Sequence, residues 1–248
     1  MPRLIKIAGG VNEWENGPGN GPGNGSWVDA GGWLRHDGWV ARDWVRWHED
    51  YEDPGSSLSR RLVVVRGYLE RALDEAPGDG GERRLISLCA GDGRDVLPVL
   101  VRHRGVSAVL VELDPELGER ARAAAAELGL AGVQVRTGDA GLADTYLDAV
   151  PAHIVTACGV FGNVSGADLR RTVAALPSLL VAGGIVIWTR GRGDDGPDPS
   201  SAVRACLAEH GFEEMAFTGP GDARFRVGMH RLVAAGAGPP PRRLFTFG

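Results

Sequence analysis

The stretch Leu85-Ile-Ser-Leu-Cys-Ala-Gly-Asp-Gly-Arg-Asp95, followed at once by Val96 and Leu97, decides the fold. Its first five residues read as a buried strand. Glycines at 91 and 93 then permit a tight turn, and the apolar Val96-Leu97 pair opens a helix. Such a unit brings backbone N–H groups to a helix N-terminus, where a ligand can approach them. Taken alone it fits many nucleotide-binding folds, so the flanking sequence must say which.

Downstream, strand and helix signals alternate. VSAVLVEL (106–113), GVQVRTG (132–138), HIVTACGV (153–160) and GGIVIWTR (183–190) read as further buried strands, with helical stretches at 115–128 and 167–180 between them. This alternation predicts an α/β fold with a doubly wound, mostly parallel sheet and helices on both faces. The last third departs from it. FEEMAFT (212–218) and FRVGMHRLV (225–233) are strand-like runs joined by GPGDA, too short for a crossover helix. They predict a C-terminal antiparallel hairpin on the sheet edge, completing seven strands.

Upstream, residues 1–32 carry two copies of GPGN at 17–24 inside a Gly/Asn/Pro-rich stretch and predict a flexible arm without a core. Residues 33–80 predict an N-terminal helical cap: Trp44, Trp47, His48 and Tyr51 follow i, i+3, i+4, i+7 spacing, Pro54-Gly55 makes a turn, and a second helical pattern covers 58–73. The sheet domain then occupies 81–236, and 237–248 remains as a C-terminal tail.

Composition bounds the function. In 248 residues, an apolar share of 43% and a charged share of 24% describe a globular protein with one large core. A net charge of −5, with basic and acidic residues interleaved, leaves no basic stripe for a nucleic-acid backbone. The N-terminus lacks a continuous apolar run, and 179–188 is too short to span a bilayer, so a cytoplasmic protein with no membrane contact is expected. Cys89, Cys158 and Cys206 are odd in number and far apart, which fits reduced thiols. No CxxC or HExxH pattern points to a metal.

Two carboxylates sit where the fold presents them to a ligand. Glu112 ends the second strand about 20 residues after the glycines, the place of a ribose-binding acid in doubly wound folds. Asp139, in Gly138-Asp139-Ala140, ends the third strand near where an adenine amino group would lie. In this order and spacing SLCAGDGRD, VELDPE, TGDA and GGIVIW resemble the successive motifs of class I S-adenosylmethionine-dependent methyltransferases, over roughly residues 83–235. The terminal hairpin resembles that family too. Ser87 stands where the family commonly has an acid, and Cys89 where its first glycine usually stands.

The resemblance implies S-adenosylmethionine as cofactor, held by Ala90, Gly91, Asp92, Gly93, Asp95, Glu112, Leu113, Gly138, Asp139, Ala140, Cys158 and Gly159. Electrostatics agrees. Asp92 and Asp95 would repel a pyrophosphate but suit a sulfonium and an ammonium group, and Val96 stands where a dinucleotide fingerprint needs its third glycine.

Methyl transfer asks the protein mainly to align an acceptor and exclude water. His48 is the candidate general base, with Tyr51 beside it, and the alternative is that this aromatic face packs the cap. Trp44, Trp47, Phe161 and Asn163 are candidate contacts to a small-molecule acceptor, although Asn163 equally suits a turn or cap. Six of seven tryptophans occur by position 47, which fits an aromatic lid or a contact between two copies of the chain. Arg60 and Arg61 can reach the cofactor's methionyl carboxylate. The competing functions are cyclase or aminoalkyl-transfer chemistry with the same cofactor, and a catalytically silent cofactor-binding subunit.

Overall fold

The computed structural model describes strand backbones within residues 1–42, and residues 51–77, 82–193, 196–236 and 238–247. The chain divides into two units, Met1–Trp47 and His48–Gly248. In the first, β1 (Leu4–Lys6) pairs antiparallel with β2 (Asn12–Trp14). β3 (Trp27–Val28), β4 (Trp33–His36) and β5 (Trp39–Arg42) make a three-stranded antiparallel sheet. Residues 33–42, expected to open a helical cap, are therefore a β-ribbon. The reason is in the sequence: His36 pairs with Trp39 across Asp37-Gly38, a strong two-residue hairpin signal flanked by Trp-Leu and Trp-Val. The arm boundary at residue 32 also falls inside this sheet. Trp44, Trp47 and His48 lie outside the described residues.

In the second unit, α1 (Ser57–Glu75) begins where Ser56 accepts the Ser59 N–H on its hydroxyl, and buries Val65, Leu69, Ala72 and Leu73 along one stripe. Strands β6 (Arg83–Leu88), β7 (Val106–Glu112), β8 (Val133–Thr137), β9 (Ala152–Ala157) and β10 (Leu180–Gly191) are mutually parallel. Between them run α2 (Leu97–Leu100), α3 (Pro115–Glu127) and α4 (Gly166–Leu179). The helix expected after the glycine loop is thus a single turn. A helix not anticipated from the sequence, α5 (Ser200–Glu209), precedes β11 (Phe212–Thr218) and β12 (Phe225–Leu232).

The seven-stranded sheet runs β8-β7-β6-β9-β10-β12-β11. The terminal hairpin does sit at one end, but its second strand lies inside: β12 is antiparallel to both β10 and β11, so outermost β11 runs parallel to the first five strands. Both faces are buried, which explains the near-continuous apolar strands. Ile86, Leu88, Val155, Val186 and Trp188 face one cluster with α4 and α5; Leu85, Leu110, Ile154, Ile187 and Met229 face another with α1. Ser87 accepts the Thr156 hydroxyl of β9 at 2.8 Å in a buried pair. The tail at 237–248 is not loose where described, because Leu244 and Phe245 join the first cluster.

Candidate functional site

The strand order reverses between β6 and β9, and such a switch point leaves a crevice at the carboxyl ends of the strands. The loop Cys89–Asp95 leaves β6 there, and Cys158–Asn163 leaves β9. The candidate ligand residues therefore meet through topology alone.

The glycine loop is held from several sides. Gly91 and Gly93 have φ of +59° and +76°, and a Cβ on Gly93 would lie 2.7 Å from Leu97 Cδ1, so the turn needs glycine there. Cys89 also has a positive φ, +57°, which explains why glycine is the usual residue at its place in the resembling family. Arg66 of α1 donates from Nε and Nη2 to the Arg94 carbonyl at 2.9 and 2.6 Å. Arg94 in turn chelates the Asp92 carboxylate and lies 4.4 Å above the Tyr51 ring.

Glu112 is the best-anchored of the predicted contacts. The residue is 8% exposed, with carboxylate Oε2 accepting the Gly91 N–H at 2.7 Å and Oε1 accepting the Asp114 N–H at 2.9 Å. One further lone pair on each oxygen remains available to hydroxyl donors. Asp114 is committed elsewhere: it caps α3 by accepting the Glu116 and Leu117 N–H groups. Leu113 is 60% exposed beyond the strand end. Gly138 donates its N–H to the Glu112 carbonyl, and Asp139 accepts from Gly141 N–H on Oδ1 and from Arg243 on Oδ2, at 2.8 and 3.0 Å. Ala140 is buried beside them.

Asp95 has the least satisfied carboxylate. Its Oδ1 is buried without a hydrogen-bond partner, and burial pushes the carboxyl above its ordinary pKa although the Arg61 guanidinium opposes this. The Cys158 thiol lies against Asp95, and burial raises it strongly, so it stays protonated and unreactive. Burial likewise keeps the Tyr51 phenol protonated, and Arg61 donates to its hydroxyl oxygen. Gly159 donates its N–H to the Thr189 hydroxyl at 2.8 Å.

Two expected acceptor contacts take structural roles. Phe161 is 0% exposed and packs on Trp188 with ring centroids 6.2 Å apart, so its ring belongs to the core rather than to a substrate surface. Asn163 turns its amide back onto the Gly159 carbonyl at 2.6 Å and shapes the loop. Sequence reasoning missed Arg66, Thr189 and Arg243. None stands in a motif, and only three-dimensional proximity reveals them.

Two clefts of about 370 and 490 Å³ open at the opposite, amino-terminal edge of the sheet, lined by residues such as Leu100, Gly105, Leu128, Ala131 and Val133. Neither gathers the opposed charges found at the switch point, so the functional site is assigned to the latter.

This sheet order and crevice define the fold class. The solved structures it resembles include an O-methyltransferase family protein from Burkholderia thailandensis (16% identity, 72% of this chain, 57% of that one, TM-score 0.57). A second is magnesium protoporphyrin IX methyltransferase from Synechocystis, solved with bound S-adenosylhomocysteine (14% identity, 76% and 93%, TM-score 0.56). A third is the cyclase SpnF (16% identity, 68% and 81%, TM-score 0.51). The sequence matches no protein-family model and no curated protein. At these identities the likeness establishes the fold: this chain has the fold of class I S-adenosylmethionine-dependent methyltransferases.

Proposed function

We propose that the chain binds S-adenosylmethionine at the switch-point crevice and transfers its methyl group to a small-molecule acceptor. The observation that carries this reading is Glu112: a nearly buried carboxylate clamped to the glycine loop by the Gly91 N–H, yet retaining acceptor capacity on both oxygens for a ribose hydroxyl pair. The other residues fit the same ligand. Asp139 offers an acceptor to an adenine amino group, Asp95 a buried carboxylate oxygen without a partner to an ammonium or sulfonium, and Arg61 a guanidinium to a carboxylate.

The bound cofactor would supply an already activated methyl group, so this chain's residues need only orient, desolvate and hold charge. Glu112 and Asp139 fix the nucleoside, while Asp95 and Arg61 form opposed charges for a zwitterionic end. Protonated Cys158 and Tyr51 are neutral walls rather than bases. His48, Trp44 and Trp47 lie outside the described residues; a proton-accepting role for His48 and acceptor contacts for the two tryptophans are part of this proposal on sequence grounds alone. No helix among the described residues is long and apolar enough to cross a membrane.

Calorimetry tests the binding step. S-adenosylhomocysteine should bind at micromolar or better affinity and NADH far more weakly, and Glu112→Ala should lower adenosyl affinity about tenfold or more. Tighter NADH binding, or unchanged affinity in a folded Glu112→Ala protein, refutes the site. Product analysis over a metabolite panel tests the chemistry: S-adenosylhomocysteine formation supports methyl transfer, whereas methylthioadenosine, or a cyclised product with the cofactor unconsumed, replaces it with the non-methylating reading.

A further inference from the structure

The C-terminal segment 242–247 is stitched across the nucleoside side of the crevice. On one flank the Leu244 N–H donates to the Gly141 carbonyl at 2.8 Å, and the Ala143 N–H donates to the Arg242 carbonyl at 2.9 Å. On the other, the Leu244 carbonyl accepts from Arg171 Nε at 2.9 Å and from the Thr172 hydroxyl at 3.1 Å. The strap thus bridges the loop after β8 and the second turn of α4, the two elements that follow β8 and β9 at the crevice.

Two features make this more than packing of a chain end. Arg243 donates to Asp139 Oδ2 at 3.0 Å, and Asp139 Oδ1 already accepts the Gly141 N–H, so the carboxylate is fixed from both sides. Gly141 has room only for hydrogen, because a Cβ there would overlap the Phe245 carbonyl. The strap therefore fits against the residue two after Asp139 and sets the orientation of that carboxylate.

We propose that the strap is part of the nucleoside site, with Arg243 a positioning residue that aims Asp139 at the exocyclic amino group of the base and so selects adenine over a 6-oxopurine. This rests on the adenosyl-binding reading above. The Arg243–Asp139 pair is half exposed, so its contribution is modest in water and lies in geometry more than in Coulomb energy. A 6-oxopurine places a carbonyl against the fixed carboxylate and leaves it without a donor.

The test measures binding of S-adenosylhomocysteine and S-inosylhomocysteine to the full chain and to Arg243→Gln by calorimetry. Hydrogen exchange over 242–247 is followed with and without S-adenosylhomocysteine. The wild-type protein should prefer the adenosyl ligand by about tenfold or more. Arg243→Gln should lower that preference about three- to fivefold, mainly through weaker adenosyl binding, and ligand should slow exchange in the strap. A merely structural Arg243 would weaken both ligands alike, and that result, or an unchanged preference, overturns the positioning role. Wild-type binding of S-adenosylhomocysteine with strap exchange unaltered overturns the strap's place in the site. A wild-type protein that binds neither ligand overturns the adenosyl site itself, and this proposal with it.

Discussion

His230 should make the protein acid-sensitive well above the pH at which its carboxylates titrate. It lies on β12, 1% exposed, where its Nδ1 accepts the Trp188 indole N–H at 3.3 Å. That bond requires an unprotonated Nδ1, and the one facing anion among the described residues, Glu214, stands 3.6 Å from Nε2 and is itself paired with Arg204. Burial consequently lowers the imidazole pKa from 6.5 to about 4, with Glu214 opposing and Arg204 reinforcing the shift.

A base whose pKa is lower in the fold is neutral there and charges more readily once unfolded. The stability this provides is complete above pH 6.5 and is withdrawn as pH falls from 6.5 towards 4. Each tenfold ratio is worth about 1.4 kcal/mol, so about 2 kcal/mol is lost by pH 5 and about 3 kcal/mol below pH 4. In a unit of this size, 2 kcal/mol lowers the melting temperature by about 4–8 °C. Asp198, held down to about 2 chiefly by its bond to Arg226, and Glu214, lowered from 4.5, lose their contributions only at more acid pH. Comparison with His230→Gln across pH 6.5 to 5 therefore isolates this histidine from the other five. Melting temperatures across that interval should fall more steeply for the wild-type protein than for His230→Gln. Parallel curves for the two proteins would refute the argument.

Asp95→Asn should leave the melting temperature unchanged or raise it at pH 7, since it removes a buried charge one of whose oxygens lacks a hydrogen-bond partner, while lowering affinity for S-adenosylhomocysteine about tenfold; calorimetry and thermal melts read both. A destabilised variant with normal affinity would instead make Asp95 structural. Gly228→Ala should destabilise by about 1–3 kcal/mol in a denaturant titration, because its Cβ would enter the Trp188 indole across the β10–β12 pair.

The sheet was legible because its signals are local and strong. Buried parallel strands are short apolar runs between punctuating glycines and prolines, and β11 runs over the seven residues read from the sequence. The position of Glu112 beside the glycine loop was legible for a related reason: the spacing from glycine loop to second-strand end is fixed by the length of one crossover. What failed was arbitration between periods. The aromatic spacing after Trp33 satisfied a helix template, while Asp37-Gly38 between Trp-containing runs announced the hairpin that the register shows. Phe161 failed differently: sequence places it after β9 but cannot say that its ring turns inward onto Trp188. Arg243 was beyond reach, because it meets Asp139 only after the chain has crossed the entire sheet.

The crevice also declares itself without any resemblance, through where the chain breaks its own rules. Most of the core's polar groups are satisfied: Ser87 with Thr156, Trp188 with His230, and Arg226 with Asp198 at 2.5 Å and three backbone carbonyls. Among the described residues the two buried side-chain atoms lacking a partner are Arg83 Nε, at the start of β6, and Asp95 Oδ1, just past its end. Within the same seven residues Cys89 holds a left-handed backbone conformation that costs a side-chain-bearing residue about 1–2 kcal/mol. A buried carboxylate with one oxygen lacking a partner and a strained thiol-bearing residue six positions apart oppose stability, whereas glycine at 89 and asparagine at 95 would relieve the strain and the buried charge. Features that oppose folding persist where something else requires them. Both stand at the carboxyl end of β6, opposite β9, where the ligand proposed above would bring a cationic group to the Asp95 oxygen that lacks a partner.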